Sequence, residues 1–232
     1  MRAGNWSIIL MALACAACGG DAPDPEPAAD QQQEAEALPV MGPQLHILAF
    51  GDSLFAGYGV GLERSYPAML QNALRARGIN AEISNAGVSG DTTAAGLGRI
   101  EFVLDNESET PDLAIVELGG NDLLRGISPA ETRENLAGIL EILKQRNIPV
   151  LLMGMRAPPN LGDGFVGDFD AIYPELAEQY DVELVPFFLE AVYDKPELIQ
   201  QDRIHPTAEG IEALVAATAD DVAEALPEED EE

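Results

Sequence analysis

Between residues 45 and 226, short apolar runs alternate with segments whose apolar residues recur at helical spacing. That alternation restricts the chain to few architectures. The runs at 45–50, 80–84, 112–118, 150–155 and 182–185 read as strands, and the first, an apolar run ended by glycine, reads as a buried parallel strand. The segments 65–77, 91–104, 129–146, 169–180 and 207–226 read as helices. Ser128 precedes Pro129 as an N-cap precedes the first helical residue, and Gly78 follows the first of these helices as a stop. Strand and helix in alternation predict an α/β domain: a parallel sheet of five strands with helices on both faces. No internal repeat interrupts the pattern.

A parallel sheet brings the carboxyl ends of its strands to one edge, where open α/β sheets place their ligands. The first strand runs into Gly51-Asp52-Ser53-Leu54, and the second ends in Asn85-Ala86-Gly87. The third leads to Gly119-Gly120-Asn121-Asp122, and Asp202-Arg203-Ile204-His205-Pro206 follows the fifth. A serine, a glycine turn, an amide and an Asp-x-x-His pair therefore converge in space.

Acyl transfer needs that set of groups. A serine hydroxyl becomes nucleophilic when an imidazole takes its proton, and the imidazole needs a carboxylate to fix its tautomer. Ser53 is the expected nucleophile, His205 the base, and Asp202 its orienting acid. Ser53 N–H, Gly87 N–H and the Asn121 amide are the expected oxyanion donors. Taken singly, each has a plainer reading: Gly87 as a turn glycine, Asn121-Asp122 as a helix cap, Asp202 and His205 as loop residues capping the last helix. Their agreement on one edge favours chemistry. His46, at the start of the first strand, belongs to the opposite edge and reads as structural. Met153, Met155 and the pair Phe187-Phe188 read as core or pocket wall.

Composition removes the alternatives. Both cysteines, Cys15 and Cys18, lie among the first eighteen residues, which excludes a disulfide framework, a zinc–thiolate site and a cysteine nucleophile from the rest. His46 and His205 are the only histidines. The formal charge of −29 argues against nucleic acid and anionic membrane surfaces as partners. Residues 45–227 alone hold 30 acids against 11 bases, and Lys144 and Lys195 are the only lysines. Such a shell suits a saline setting, where counterions screen self-repulsion, or serves simple solubility.

The termini read differently from the domain at 44–227. Residues 1–18 carry one arginine, an apolar stretch and small residues, the grammar of a secretory signal too short to span a bilayer. Residues 19–43, rich in Ala, Pro, Gln and acids, read as a flexible linker, and 228–232 as a solvated acidic tail. The ending Cys15-Ala16-Ala17-Cys18-Gly19-Gly20 resembles a bacterial lipoprotein signal with Cys18 as the lipidated residue, although Cys15 stands where Leu is usual. Ordinary signal cleavage is the alternative. The resulting expectation is an exported, periplasmic protein, lipid-anchored to the outer membrane or soluble.

The four strand-end segments resemble the four sequence blocks of the GDSL or SGNH hydrolases, with Ser53, Gly87, Asn121 and His205 matching the four letters in order. Gly119 to Gly126, Met155 to Asn160, Ile172-Tyr173-Pro174, Val185 to Leu189 and Asp202 to Pro206 are similar to segments of the arylesterase, lysophospholipase and acyl-CoA thioesterase I branch. The resemblance covers about residues 45–226. It implies a flavodoxin-like three-layer α/β/α fold, no metal and no cofactor. It also implies hydrolysis of esters or thioesters of medium to long acyl chains. The expected partner is a small-molecule ester or lipid substrate, and the expected state is a monomer. Leu123 departs from relatives that carry Gly there, which bears on acyl-chain preference. Export and the acidic shell favour neutral esters or lysophospholipids over acyl-CoA. Two rivals stand beside this reading: a carbohydrate or peptidoglycan O-acetylesterase, and a surface lipoprotein that binds ligand without turnover.

Overall fold

The computed structural model describes residue 40 and residues 42–227. The signal and lipidation readings at 1–18, Cys18 included, nearly all of the linker and the acidic tail lie outside the described residues. The strands are β1 (Leu45–Gly51), β2 (Ala81–Gly87), β3 (Leu113–Glu117), β4 (Val150–Met153) and β5 (Glu183–Val185). They form one parallel sheet in the order β2-β1-β3-β4-β5, the flavodoxin-like order, with the switch point between β1 and β3. β1, β3 and β4 are almost wholly buried, as their uninterrupted apolar runs require.

Eight α-helices accompany the strands among the described residues: α1 (Ser53–Ala56), α2 (Tyr66–Ala76), α3 (Thr93–Asn106), α4 (Gly120–Arg125), α5 (Pro129–Gln145), α6 (Asp163–Asp170), α7 (Ile172–Tyr180) and α8 (Ala208–Ala225). Ser128 caps α5 by accepting from Glu131 N–H, as its place before Pro129 predicts. The expected helix at 169–180 is two helices joined at Ala171. Pro174 has no N–H for the carbonyl four residues back and fits only a first turn, so α7 starts afresh beside it. Among the described residues no helix is long and apolar enough to cross a membrane.

One aromatic cluster ties the first helix to the last. Phe55 of α1 stacks on Tyr66 of α2 with centroids 5.1 Å apart, and both meet the edge or face of Phe188 at 5.8 and 4.9 Å. Such pairs contribute about 0.5–1.5 kcal/mol each beyond burial. Tyr66 is fully buried, which raises its phenol, and its hydroxyl is bonded to Thr218 Oγ1 of α8 at 2.6 Å. The short helix bearing Ser53 is thereby fixed relative to the helix that follows His205.

Candidate active site

Ser53 opens α1 directly after the carboxyl end of β1. The Asp52 side chain caps that helix, accepting from Leu54 N–H at 3.0 Å, and Gly57 ends it in the left-handed region at φ 79°. In a four-residue helix, Ser53 N–H stands in the first turn and has no intrahelical acceptor.

His205 comes from a tight loop before α8. Asp202 Oδ1 accepts from Ile204 N–H at 2.9 Å and from His205 N–H at 3.0 Å, while its Oδ2 bonds His205 Nδ1 at 2.7 Å. With Nδ1–H donated to the carboxylate, Nε2 is left to accept from Ser53 Oγ, 2.8 Å away. Partial burial pushes the Asp202 carboxyl up, but the bonds from the His205 ring and the two N–H groups outweigh it and hold the acid at about 2. The three residues that the sequence singled out thus form one continuous hydrogen-bonded chain.

The two other residues lie beside it, on different terms. Asn121 sits in α4 and donates one amide hydrogen to Asp52 Oδ2 at 2.8 Å, which leaves the second for a ligand. Gly87 ends β2 pressed against α1, and its N–H is already donated to Asn85 Oδ1 at 2.9 Å. It would serve an oxyanion only as a shared donor. Its lack of a side chain has its own cause. A Cβ there would lie 2.5 Å from Ala56 N, 2.8 Å from Phe55 C and 2.9 Å from Asp52 O, all backbone of α1. Gly87→Ala is therefore expected to displace the nucleophile's helix and to cost on the order of 10²-fold in kcat/KM. Esterase kinetics on a folded variant check this, and a loss under threefold would contradict it.

Two residues of the site escaped the sequence reading. Asp52 is buried beneath Ser53 and holds both α1 and Asn121. Glu117, fully buried at the end of β3, accepts from Asp52 N–H at 3.3 Å through Oε2, while Oε1 has no partner. Burial first, then the neighbouring Asp52 carboxylate, raises Glu117 well above the ordinary range and so favours its protonated form. Burial also raises Asp52, against the Leu54, Glu117 and Asn121 hydrogen bonds that favour its charge. The available signal was a lone acid closing the otherwise apolar run Leu113-Ala114-Ile115-Val116. Because the folded value of Glu117 exceeds its unfolded one, its stabilising contribution is complete below the ordinary 4.5 and is lost as pH rises towards the folded value. Glu117→Gln is expected to flatten the fall in Tm on that alkaline side. Melting curves that stay parallel to wild type across the range would refute it.

The scaffold behind these groups is polar where it must be. Tyr173 donates to Leu118 O at 2.9 Å, filling the space that a Cβ on Gly119 (φ 116°) would need. Asp122, fully buried, accepts from Thr93 N–H at 2.9 Å and from the hydroxyls of Thr93 and Thr132, tying α4 to α3 and α5. Asn121 is held from both sides. His46 lies at the far edge of β1, 3.0 Å from Glu109, away from this chemistry. Among the described residues no cluster of three or more His, Cys, Asp or Glu could hold a metal.

A Ser–His–Asp chain at the carboxyl edge of a doubly wound sheet defines the class of serine hydrolases. The chain belongs to the GDSL-like lipase/acylhydrolase family, whose model matches residues 49–213, and it is a hydrolase of the ester-cleaving type. It is 44% identical over 163 residues to an arylesterase of Vibrio mimicus, covering 70% of this chain and 80% of that one. It is 43% identical over 160 residues to the thioesterase 1/protease 1/lysophospholipase L1 of Escherichia coli K12, covering 69% and 74%. Among solved structures it is similar to AlinE4, described as an SGNH-hydrolase family esterase. That match has 69% identity and a TM-score of 0.69, and covers 81% of this chain and all of that one.

Proposed function

We propose that the protein is a serine esterase that cleaves aryl esters, short- to medium-chain acyl esters or lysophospholipids through an acyl-enzyme. The observation that carries this is the relay from Ser53 Oγ through His205 to Asp202, at 2.8 and 2.7 Å. Ser53 Oγ attacks the acyl carbonyl while His205 Nε2 takes its proton. The imidazolium is stabilised by Asp202. The oxyanion is held by Ser53 N–H and the free amide hydrogen of Asn121, with Gly87 N–H sharing. His205 then protonates the leaving alcohol, and water attacks the acyl-enzyme by the same route. Relatives named arylesterase and lysophospholipase support the substrate class. Leu123, half-buried beside Asn121, is the side chain expected to bear on acyl length.

The test is a rate series on p-nitrophenyl esters from acetyl to dodecanoyl. Turnover that extends through the medium chains is expected. Activity confined to acetyl would move the assignment to an O-acetylesterase, and no turnover at all would leave a binding module. We also propose export, with Cys18 lipidated. The Ala, Pro and acid-rich residues after it suit a tether. Gly19 after the lipid cysteine, where a sorting rule would retain an Asp, favours the outer membrane. A lipid-modified Cys18 at the mature terminus, read by mass spectrometry, is the expected result. An unmodified terminus beyond Cys18 would mean a soluble periplasmic or secreted enzyme.

A further inference from the structure

The catalytic imidazole has a neighbour that the relay does not use. The ring of Tyr58 lies on the face of His205 with centroids 4.2 Å apart and planes 29° apart. Tyr58 itself is half-exposed, at 51%, so the contact is not a by-product of core packing. One side chain holds it there. Gln200 Nε2 donates to Tyr58 O at 2.9 Å and to Pro206 O at 2.8 Å, while Gln200 N–H donates to His205 O at 2.7 Å. The turn after α1 is thus fastened to the loop that bears the base. Residue 59 is glycine at φ 75°, and a Cβ there would collide with the Gln200 side chain.

We propose that Tyr58 is a positioning residue for the ester hydrolysis assigned above: its ring backs the face of the His205 imidazole, keeps the Nε2 edge turned to Ser53, and favours the cationic form that arises as the serine gives up its proton. An aromatic face attracts a cation more than a neutral ring, so the stack strengthens as the reaction proceeds. An interaction stronger in the transition state than in the ground state accelerates the chemical step and leaves substrate binding alone. The other groups facing this imidazole are Asp202 on its own loop and Asp52 at the end of β1, whose charge also bears on the ring. Glu117, packed against Asp52, is pushed by burial towards its neutral form, and Arg203 lies two residues back on the loop. None of these changes when Tyr58 is replaced.

The proposal rests on the esterase reading, and the experiment separates the two. Steady-state rates on a short-chain p-nitrophenyl ester are measured over the acid and neutral range for wild type, Ser53→Ala, Tyr58→Leu, Tyr58→Phe and Tyr58→Trp. Tyr58→Leu is expected to lower kcat by about two- to fivefold with KM unchanged, and to move the acid limb of kcat/KM about half a pH unit lower. Tyr58→Phe and Tyr58→Trp should restore both, which a merely structural role would not require. A Tyr58→Leu enzyme that matches wild type in kcat and acid limb would overturn the proposal. So would a Tyr58→Phe enzyme as impaired as Tyr58→Leu, since the hydroxyl would then matter rather than the ring face. Full activity in Ser53→Ala would instead overturn the esterase reading beneath it.

Discussion

Ser53→Ala is expected to lower kcat by roughly 10⁶-fold, the loss seen when a serine hydrolase loses its nucleophile and keeps only its oxyanion donors. The fold should be untouched. The helix that Ser53 opens is capped by Asp52, and Ser53 Oγ bonds His205 Nε2 at 2.8 Å and Asp52 Oδ1 at a marginal 3.4 Å. Melting temperature and circular dichroism should match wild type while p-nitrophenol release falls to near background. A folded Ser53→Ala protein within a hundredfold of wild type would remove Ser53 from the mechanism.

Asp202→Asn is expected to cost roughly 10⁴-fold in kcat. With its oxygen kept on the two backbone N–H groups, the amide would turn its NH2 donor to His205 Nδ1, so the imidazole would settle with its proton on Nε2, where it cannot accept from Ser53. The backbone bonds from Ile204 and His205 to Oδ1 would survive in the amide, so the loop should hold its shape. The loss is therefore expected in kcat rather than in KM or stability. A drop of less than tenfold would show that another group orients the ring. Because the Asp202 carboxylate is held at about 2, its own protonation should not limit the enzyme until strongly acid pH.

The sheet was legible because its strands are short, its three central ones are apolar on both faces, and helical spacing separates them all. The convergence of Ser53, Asn121 and His205 then followed from parallel topology alone. What stayed hidden was carried by groups whose meaning lies in their partners. The helices at 53–56 and 120–125 are too short to show a period, yet they orient Ser53 and Asn121. Asp52 stands in the sequence only as the residue before Ser53, and it proves to be cap, amide holder and neighbour of a buried acid. Glu117 shows in the sequence only as an acid closing an apolar run, because pairing across β1 and β3 is what brings it against Asp52. Tyr58 carries no signal in the sequence, and only the fold lays it on His205. The Gly87 N–H, expected as a free donor, is engaged by Asn85, a local side-chain bond that strand periodicity does not reveal.

The base lies 152 residues after the nucleophile, on a loop held by the closing helix, whose Thr218 meets Tyr66 beside Phe55. A chain that emerges amino end first therefore carries its serine long before it carries any imidazole able to deprotonate it. Until the last helix settles into place, the protein is latent towards every ester it passes. Completion of the fold is itself the step that joins the serine to its base.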